Sequence, residues 1–316
     1  MKIVFVVNNK NNRLANVLPG LEQFYRETVI GSVHFTYTER QRHAITLARE
    51  ATENGCDYLV AVGGDGTLHE VINGVLRSSI PQSNYPVIGL LPYGSANDFA
   101  RTARLSPNFE ELDNLIRSKS IQEIDVGKIE LQQTEETKYF INIAGIGLGA
   151  EVAQNMAQSS SMIGPGFNYF KHIIKGFLSY SKKEVRCSSS SWEWQGKLLQ
   201  MAVAKGRYFG NAICVAPDAR LSNGEFQLAI FGDVSIWEYL KNLGNLKKGV
   251  KIKHPQVSYY TSKEVILDSN EACGIEADGE YVGLLPAGLS ILPNVIRFLM
   301  VPERIDSFRK EENKSP

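Results

Sequence analysis

No stretch of this sequence stays apolar for the roughly 18 to 20 residues that a helix needs to cross a bilayer, so any membrane contact is expected to be peripheral. Cysteine is sparse. Cys56, Cys187, Cys214 and Cys273 form no CxxC pair and no metal-finger spacing, and no export signal precedes the first apolar run, so a reducing cytoplasm is the expected setting. An excess of charge is also missing: Lys+Arg and Asp+Glu each number 34, which removes any global electrostatic reason to expect nucleic acid as a partner. A GxxxxGK[ST] motif is absent, which excludes a P-loop, and there is no internal repeat. What is present is 316 residues, 43% of them hydrophobic and 22% charged, enough for two domains.

The chain is organised around Gly63-Gly64-Asp65-Gly66-Thr67. This stretch leaves the apolar run Tyr58-Leu59-Val60-Ala61-Val62 and leads into Leu68, Val71, Ile72, Val75 and Leu76, spaced for one face of a helix. A strand, a glycine turn and a helix start are therefore expected. Glycines let backbone amides approach a ligand, and the helix N-terminus adds partial positive charge, so phosphate fits there. Asp65 could simply cap the helix, and Thr67 with Glu70 has the capping-box pattern. A carboxylate facing phosphate makes most sense with a divalent cation between them.

Around this turn the first third alternates β and α. Lys2 to Val7 is a fully apolar run that ends in Asn8-Asn9-Lys10-Asn11-Asn12, as a buried parallel strand followed by a polar loop would. A second apolar run, Val87-Ile88-Gly89-Leu90-Leu91, ends in Pro92-Tyr93-Gly94-Ser95-Ala96-Asn97-Asp98-Phe99. Two such loops at the carboxyl ends of strands define one crevice, with Asp65, Thr67, Ser95, Asn97 and Asp98 on its rim. Asn97 or Asp98 could equally cap the helix that follows.

These residues carry a resemblance. Gly63 to Gly74, reading GGDGTLHEVING, resembles the nucleotide signature of the diacylglycerol kinase catalytic family, and Pro92 to Arg101 is similar to its P-x-G-T-x-N-D-F-A-R stretch, with Ser95 in place of threonine. GGDG alone also occurs in NAD kinases and phosphofructokinases. The resemblance implies that Asn8, Thr38, Gly63, Gly64, Asp65, Gly66, Thr67, Gly94, Ser95 and Asn97 hold ATP. One departure is the loop after the first strand, which lacks the family's proline and glycine; Asn8 keeps the family asparagine, and Lys10 offers a positive charge.

From about residue 122 the texture changes to short β-rich runs separated by Gly, Ser, Asn and Asp, as in a second, mostly antiparallel domain. Ser188 to Gly196 is expected to be a hairpin, with Trp192 and Trp194 alternating across it. Gly145-Ile146-Gly147-Leu148-Gly149-Ala150 matches GxGxxA, yet no acidic residue or βαβ unit follows at the distance a dinucleotide site needs, so it reads as structural. Val152 to Tyr180 is expected to be a helical insertion, its face of Phe167, Phe170, Ile173, Ile174, Phe177 and Leu178 either packing on the second domain or admitting acyl chains beside Lys171, His172 and Lys175. Ala216 to Gly224 matches a family turn that holds a structural divalent cation in bacterial members, here by Asp218, Leu221 and Asn223; Asn223-Gly224 by itself encodes a β-hairpin turn.

Asp278-Gly279-Glu280 reads first as a turn, but the resemblance places this triplet opposite the nucleotide. Phosphoryl transfer needs a base for the alcohol proton and carboxylates that neutralise phosphate charge through a metal. Asp278 is assigned the base, Glu280 and Asp65 the Mg²⁺ side, and Asp98 with Asp125 a further metal-ordering pair. The expected architecture is α/β plus mostly β: an N-terminal doubly wound α/β nucleotide-binding domain (1–122, with 284–316 returning to it) and a C-terminal antiparallel β-sandwich domain for the lipid acceptor (123–283). The implied activity is transfer of phosphate from ATP, with Mg²⁺, to a lipid hydroxyl at the membrane surface. Diacylglycerol leads as acceptor, ahead of sphingoid bases, ceramide or phosphatidylglycerol; an NAD kinase and a non-enzymatic nucleotide-binding regulator stand further back. A homodimer is compatible with this reading.

Overall fold

The computed structural model describes residues 1–28, 31–158 and 180–302. Strands β1 (Lys2–Val7), β2 (Ser32–Tyr37), β3 (Tyr58–Gly63) and β4 (Val87–Pro92) run parallel in the order β2-β1-β3-β4. Alternate residues of each strand feed opposite layers. Val4, Val6, Leu59, Ala61, Ile88 and Leu90 pack with Ala44 and Ala48 of α2 (His43–Glu53) and with Leu68, Val71, Ile72 and Val75 of α3 (Asp65–Leu76). On the other face Ile3, Phe5, Val7, Val60, Val62 and Leu91 pack with Leu21 and Tyr25 of α1 (Leu18–Thr28) and with Leu112 and Ile116 of α5 (Phe109–Ser118). The layout is therefore doubly wound. Short α4 (Asp98–Ala103) follows the second glycine loop.

The strands of the remainder are β5 (Ile121–Leu131), β6 (Thr137–Phe140), β7 (Ile143–Gly147), β8 (Lys183–Ser188), β9 (Glu193–Leu198), β10 (Gln200–Ala204) and the short pair β11 (Tyr208–Phe209) and β12 (Ile213–Cys214). They are followed by β13 (Phe226–Phe231), β14 (Val257–Ser262), β15 (Glu264–Asp268), β16 (Gly274–Ala277), β17 (Glu280–Leu284) and β18 (Ala287–Leu299). Helix α6 (Leu148–Gln158) follows β7, while α7 (Ile236–Lys241) and α8 (Leu243–Lys247) lie between β13 and β14. An antiparallel sheet in the order β14-β13-β10-β7-β16-β17 faces the far half of the first sheet, β18-β15-β8-β9 with β5 and β6. Ile129, Val185, Leu198, Val265 and Leu289 from one sheet meet Ile146, Met201, Val203, Leu228, Ile230 and Ile275 from the other in a sandwich core.

Gly145 and Gly147 lie in β7, a strand bonded to β10 and β16 rather than in a parallel βαβ unit, so the dinucleotide pattern has no crossover to serve. The expected hairpin at 188–196 is present as β8 and β9; Trp192 stacks on Tyr260 at 4.3 Å and donates to the Thr261 carbonyl. Residues 159–179, including the apolar face of the helical insertion, and the charged tail after Pro302 lie outside the described residues. Among the described residues no helix is long and apolar enough to cross a membrane.

Strands β5 and β18 belong to both halves. They pair from Ile121↔Leu299 to Leu131↔Ala287, with an irregularity between Leu292 and Ile296, and β18 meets β4 in parallel at Phe298↔Ile88. Ile124, Val126, Ile296 and Phe298 enter the N-terminal core, whereas Ile129, Leu131, Ala287 and Leu289 enter the sandwich. The boundary expected at 122/123 thus falls inside β5, and the sheet crosses it unbroken.

Candidate active site

The chain leaves β1 for β2 on one side and later crosses to β3 on the other. That is the topological switch where open α/β sheets bind ligands at their carboxyl ends. A crevice of about 270 Å³ opens there, lined by Asn8, Lys10, Thr38, Arg40, Gln41, Ala44, Thr67 and Glu70. The Asn8 amide donates to Thr67 Oγ1 at 3.3 Å, and Thr38 Oγ1 accepts from the Asn9 backbone at 3.3 Å. The loop without the family proline and glycine is shaped by side chains instead. Asn8 and Asn11 accept from the amides two residues on, Asn11 donates to the Tyr93 carbonyl at 2.8 Å, and Arg13 donates to the Gly94 carbonyl at 2.9 Å.

The two glycine loops touch backbone to backbone. A Cβ on Gly94 would stand 2.3 Å from the Gly64 Cα and 2.6 Å from Asn97 Oδ1, and one on Gly63 would stand 2.4 Å from Thr67 Oγ1. Only glycine fits these approaches. Asn97 adopts a positive φ of 52° and donates its side-chain amide to the Pro92 and Gly94 carbonyls, at 3.0 and 3.1 Å. It therefore braces its own loop and makes no side-chain cap. Its Oδ1 is buried without a hydrogen-bond donor among the described residues. Ser95 is exposed on the rim.

The acids of α3 cap other helices rather than their own. Asp65, in the first turn of α3, accepts from the backbone amides of Asp98 (3.1 Å) and Phe99 (3.0 Å), closing the start of α4. Glu70 accepts from the amides of Arg42 and Ala44, both at 3.0 Å, closing the start of α2. The capping-box pattern is diverted because α2 and α3 lie so close that a Cβ on Gly74 would stand 2.4 Å from the Ile45 carbonyl oxygen, which brings α2's free amides within reach. Asp98 in turn accepts from Asn211 (3.0 Å) and Ala212 (2.8 Å) in the β11–β12 turn. Burial raises the pKa of Asp65, and the charges of Asp98 and Asp278 add to it; burial also raises Asp98 and Glu70.

Across from α3, Asp278 occupies the β16–β17 turn at φ 51°. Its Oδ1 accepts from the amides of Asn142 (2.9 Å) and Ile143 (3.1 Å); its Oδ2 accepts from Ile141 (3.0 Å) and lies 3.0 Å from His69 Nδ1. A carboxylate only accepts, so His69 donates to it through Nδ1–H, while Nε2 lies 3.4 Å from the Asn73 side-chain amide. Glu276 lies beneath this turn, accepting from the Gly279 amide at 2.6 Å, and burial pushes its carboxyl up to about 8. Glu280 Oε1 stands 3.9 Å from where a Gly66 Cβ would lie. With His69, Asn73, Arg42, Arg77 and Lys138 it lines a second cavity of about 220 Å³. Asp65, Asp98, Asp278 and Glu280 thus gather around the first turns of α3.

Asp125 belongs elsewhere. Its Oδ2 accepts from the Gly224 amide (2.7 Å) and from the ammonium of Lys205 (2.8 Å), and its Oδ1 accepts from the Asn294 amide (3.0 Å). Lys205 is fully buried and also donates to Asn223 Oδ1 (2.8 Å) and the Glu225 carbonyl (2.9 Å). The three residues implied for a structural cation are each otherwise engaged. Asn223 faces that ammonium, the Leu221 carbonyl accepts from the Asp125 amide at 2.7 Å, and Asp218 forms an ion pair with Lys251 at the surface. A divalent cation does not fit a position already filled by a positive charge. Nor is Asn223-Gly224 a β-hairpin turn, since β13 pairs with β10 and β14. Near the glycine loops, no group of three metal-ligating side chains exists among the described residues. Mg²⁺ there would take most of its oxygens from nucleotide phosphates, as that ion commonly does, and two buried carboxylates with raised pKa values suit it.

His69, Glu276 and Lys205 were not singled out from sequence. His69 alone left a signal, lying one helical turn beyond Asp65 on the same face of α3.

A family profile described as "Diacylglycerol kinase catalytic domain" matches residues 2–129, and one described as "YegS C-terminal NAD kinase beta sandwich-like domain" matches residues 142–300. A curated diacylglycerol kinase of Staphylococcus haemolyticus is 32% identical over 254 residues, 79% of this chain and 73% of that protein. One of Staphylococcus saprophyticus is 30% identical over 282 residues, 88% and 85% of the two chains. In fold, the chain is similar to the crystal structure of a diacylglycerol kinase from Bacillus anthracis, with a TM-score of 0.67 and 18% identity over 95% of this chain and 97% of that one.

Proposed function

Since the chain belongs to the diacylglycerol kinase family, a family of lipid kinases, we propose that it transfers the γ-phosphate of ATP to the free hydroxyl of diacylglycerol, giving phosphatidic acid and ADP. The observation that carries this reading is the clasp on Asp278: three backbone amides and His69 hold a buried carboxylate beside the helix that begins at the first glycine loop. We take the parallel sheet with its flanking helices as the nucleotide-binding half and the sandwich as the acceptor half, with β5 and β18 shared between them.

The phosphates lie along the amides of Gly63 to Thr67 and at the start of α3, with Asn8, Lys10 and Thr38 beside them. Gly94, Ser95 and Asn97 form the other lip, where the buried Asn97 Oδ1 accepts a nucleotide N–H or O–H. Mg²⁺ held by Asp65 and Glu280 would neutralise charge on the phosphates. The acceptor oxygen attacks the γ-phosphorus as the bond to ADP breaks, and its proton passes to the Asp278–His69 pair. In that pair three backbone amides hold the Asp278 carboxylate in place, and the carboxylate orients His69. The lipid remains at a membrane surface while its hydroxyl enters.

Incubation with labelled ATP, Mg²⁺ and a panel of lipids in mixed micelles tests this reading. Diacylglycerol should be labelled, and Asp278→Asn should reduce kcat by about 10²–10⁴-fold. Labelling only of a sphingoid base, ceramide or phosphatidylglycerol would move the acceptor; NADP formation from added NAD, or no labelled lipid at all, would refute the assignment.

A further inference from the structure

The segment from Ile236 to Lys253 has a charge unlike that of the chain around it. It holds five lysines (241, 247, 248, 251 and 253) and one acid, Glu238, in a protein whose formal net charge is zero. All five lysines are exposed, and Lys251 is paired with Asp218 and lies over the Tyr259 ring. Glu238 is occupied at the start of α7, where it forms a capping box with Ser235, and it also meets His254 at 3.6 Å.

The apolar side chains of the segment divide into two sets. Tyr239, Leu246 and Ile252 are buried and join Phe231 and Val234 in the core beneath the antiparallel sheet. Trp237, Leu240 and Val250 face the other way and are 78%, 37% and 51% exposed. Inward anchors hold the backbone, and the outward aromatic and aliphatic groups stand among lysines. An exposed tryptophan costs free energy in water unless something covers it, and the surrounding lysines specify that the cover is negatively charged.

We propose that this face docks on the surface of an anionic phospholipid bilayer, with Trp237, Leu240 and Val250 entering the headgroup region and Lys241, Lys247, Lys248 and Lys253 pairing with lipid phosphates. The purpose rests on the lipid-kinase reading; the binding itself does not. The face is also tied to the site. Helix α8 packs on β12, and the β11–β12 turn supplies the two amides that hold Asp98. The face is thus joined through one short turn to the start of α4, beside the second glycine loop.

The test uses the full chain without ATP, pelleted with vesicles of phosphatidylcholine alone or with phosphatidylglycerol added. Binding is expected only to the anionic vesicles, to fall with salt, and to weaken by about tenfold or more in Lys247→Glu/Lys248→Glu and in Trp237→Ala. Both variants should keep the wild-type melting temperature and kcat on a short-chain lipid in neutral detergent micelles. Equal binding by wild type and both variants would overturn the proposal, as would failure of wild type to pellet. A Trp237-dependent dimer that pellets with neither vesicle would assign the face to a second copy instead. Failure of the kinase reading would appear separately, as absent turnover on micelles.

Discussion

Replacing Lys205 by methionine removes a buried ammonium and leaves its partners behind. Asp125, 1% exposed in its side chain, loses its counter-charge, while Asn223 Oδ1 and the Glu225 carbonyl lose a donor. Removing one member of a buried ion pair costs about 3–5 kcal/mol, because the remaining charge stays desolvated. With an unfolding entropy of about 2.1 cal/mol/K per residue over 316 residues, this is a drop of about 5–8 °C in melting temperature. The assay is thermal unfolding by circular dichroism in EDTA and in Mg²⁺ without nucleotide. Wild type should melt at the same temperature in both, because Asn223 Oδ1 and Asp125 already face the Lys205 ammonium. Adding Asp125→Asn to Lys205→Met should recover part of the loss, since the side chain is then neutral and its one oxygen still accepts from either the Asn294 or the Gly224 amide. A single variant that melts within a degree of wild type, or a wild type destabilised by EDTA, would refute the reasoning.

Gly94→Ala should abolish ATP-dependent labelling and lower the melting temperature, because its Cβ would stand 2.3 Å from the Gly64 Cα; a variant with wild-type KM for ATP would contradict the contact between the loops. Asp65→Ala leaves the Asp98 and Phe99 amides without their acceptor, so it should cost about 1–3 kcal/mol of stability in a melt as well as raise the KM for ATP; a loss of activity with no change in stability would assign Asp65 to ligand binding alone. Glu276 is held neutral by burial, its folded pKa lying near 8 against an ordinary 4.5. The folded chain therefore binds the proton more tightly than the unfolded chain, and the stability this contributes is full below about 4.5 and lost as pH rises through 8. Glu276→Gln should flatten the decline in melting temperature across that window, and parallel curves for the two proteins would refute the assignment.

What the sequence revealed follows from how local each signal is. The glycine turn at Gly63 to Thr67 announces itself by an apolar run before it and a helical stripe after it, all within one supersecondary unit. The doubly wound layout followed because β1, β3 and β4 are apolar on both faces. The capping pattern at Thr67 and Glu70 was legible but misleading, since the amides that Glu70 satisfies belong to α2 and no spacing rule reports how closely two helices pack. His69 meets Asp278 across 209 positions of sequence, and Lys205 meets Asp125 across 80. Neither partner leaves a periodicity that could find the other. Asn223 looked like half of a turn because its neighbour is glycine, while the charge that decides its role arrives from β10's end.

Strands β5 and β18 also bear on how this protein can move. Enzymes that close by a hinge concentrate the rotation in a few residues that few contacts cross. Here the two cores are joined by strands of 11 and 13 residues paired along their length, and their one irregularity is fastened by the Asn294 amide on Asp125. The joint is a splice, stiff in bending. Shutting water out of the crevice then falls to the short segments at its mouth, Asn8 to Asn12 and Thr38 to Arg42, and the overall scattering profile should stay the same when nucleotide binds.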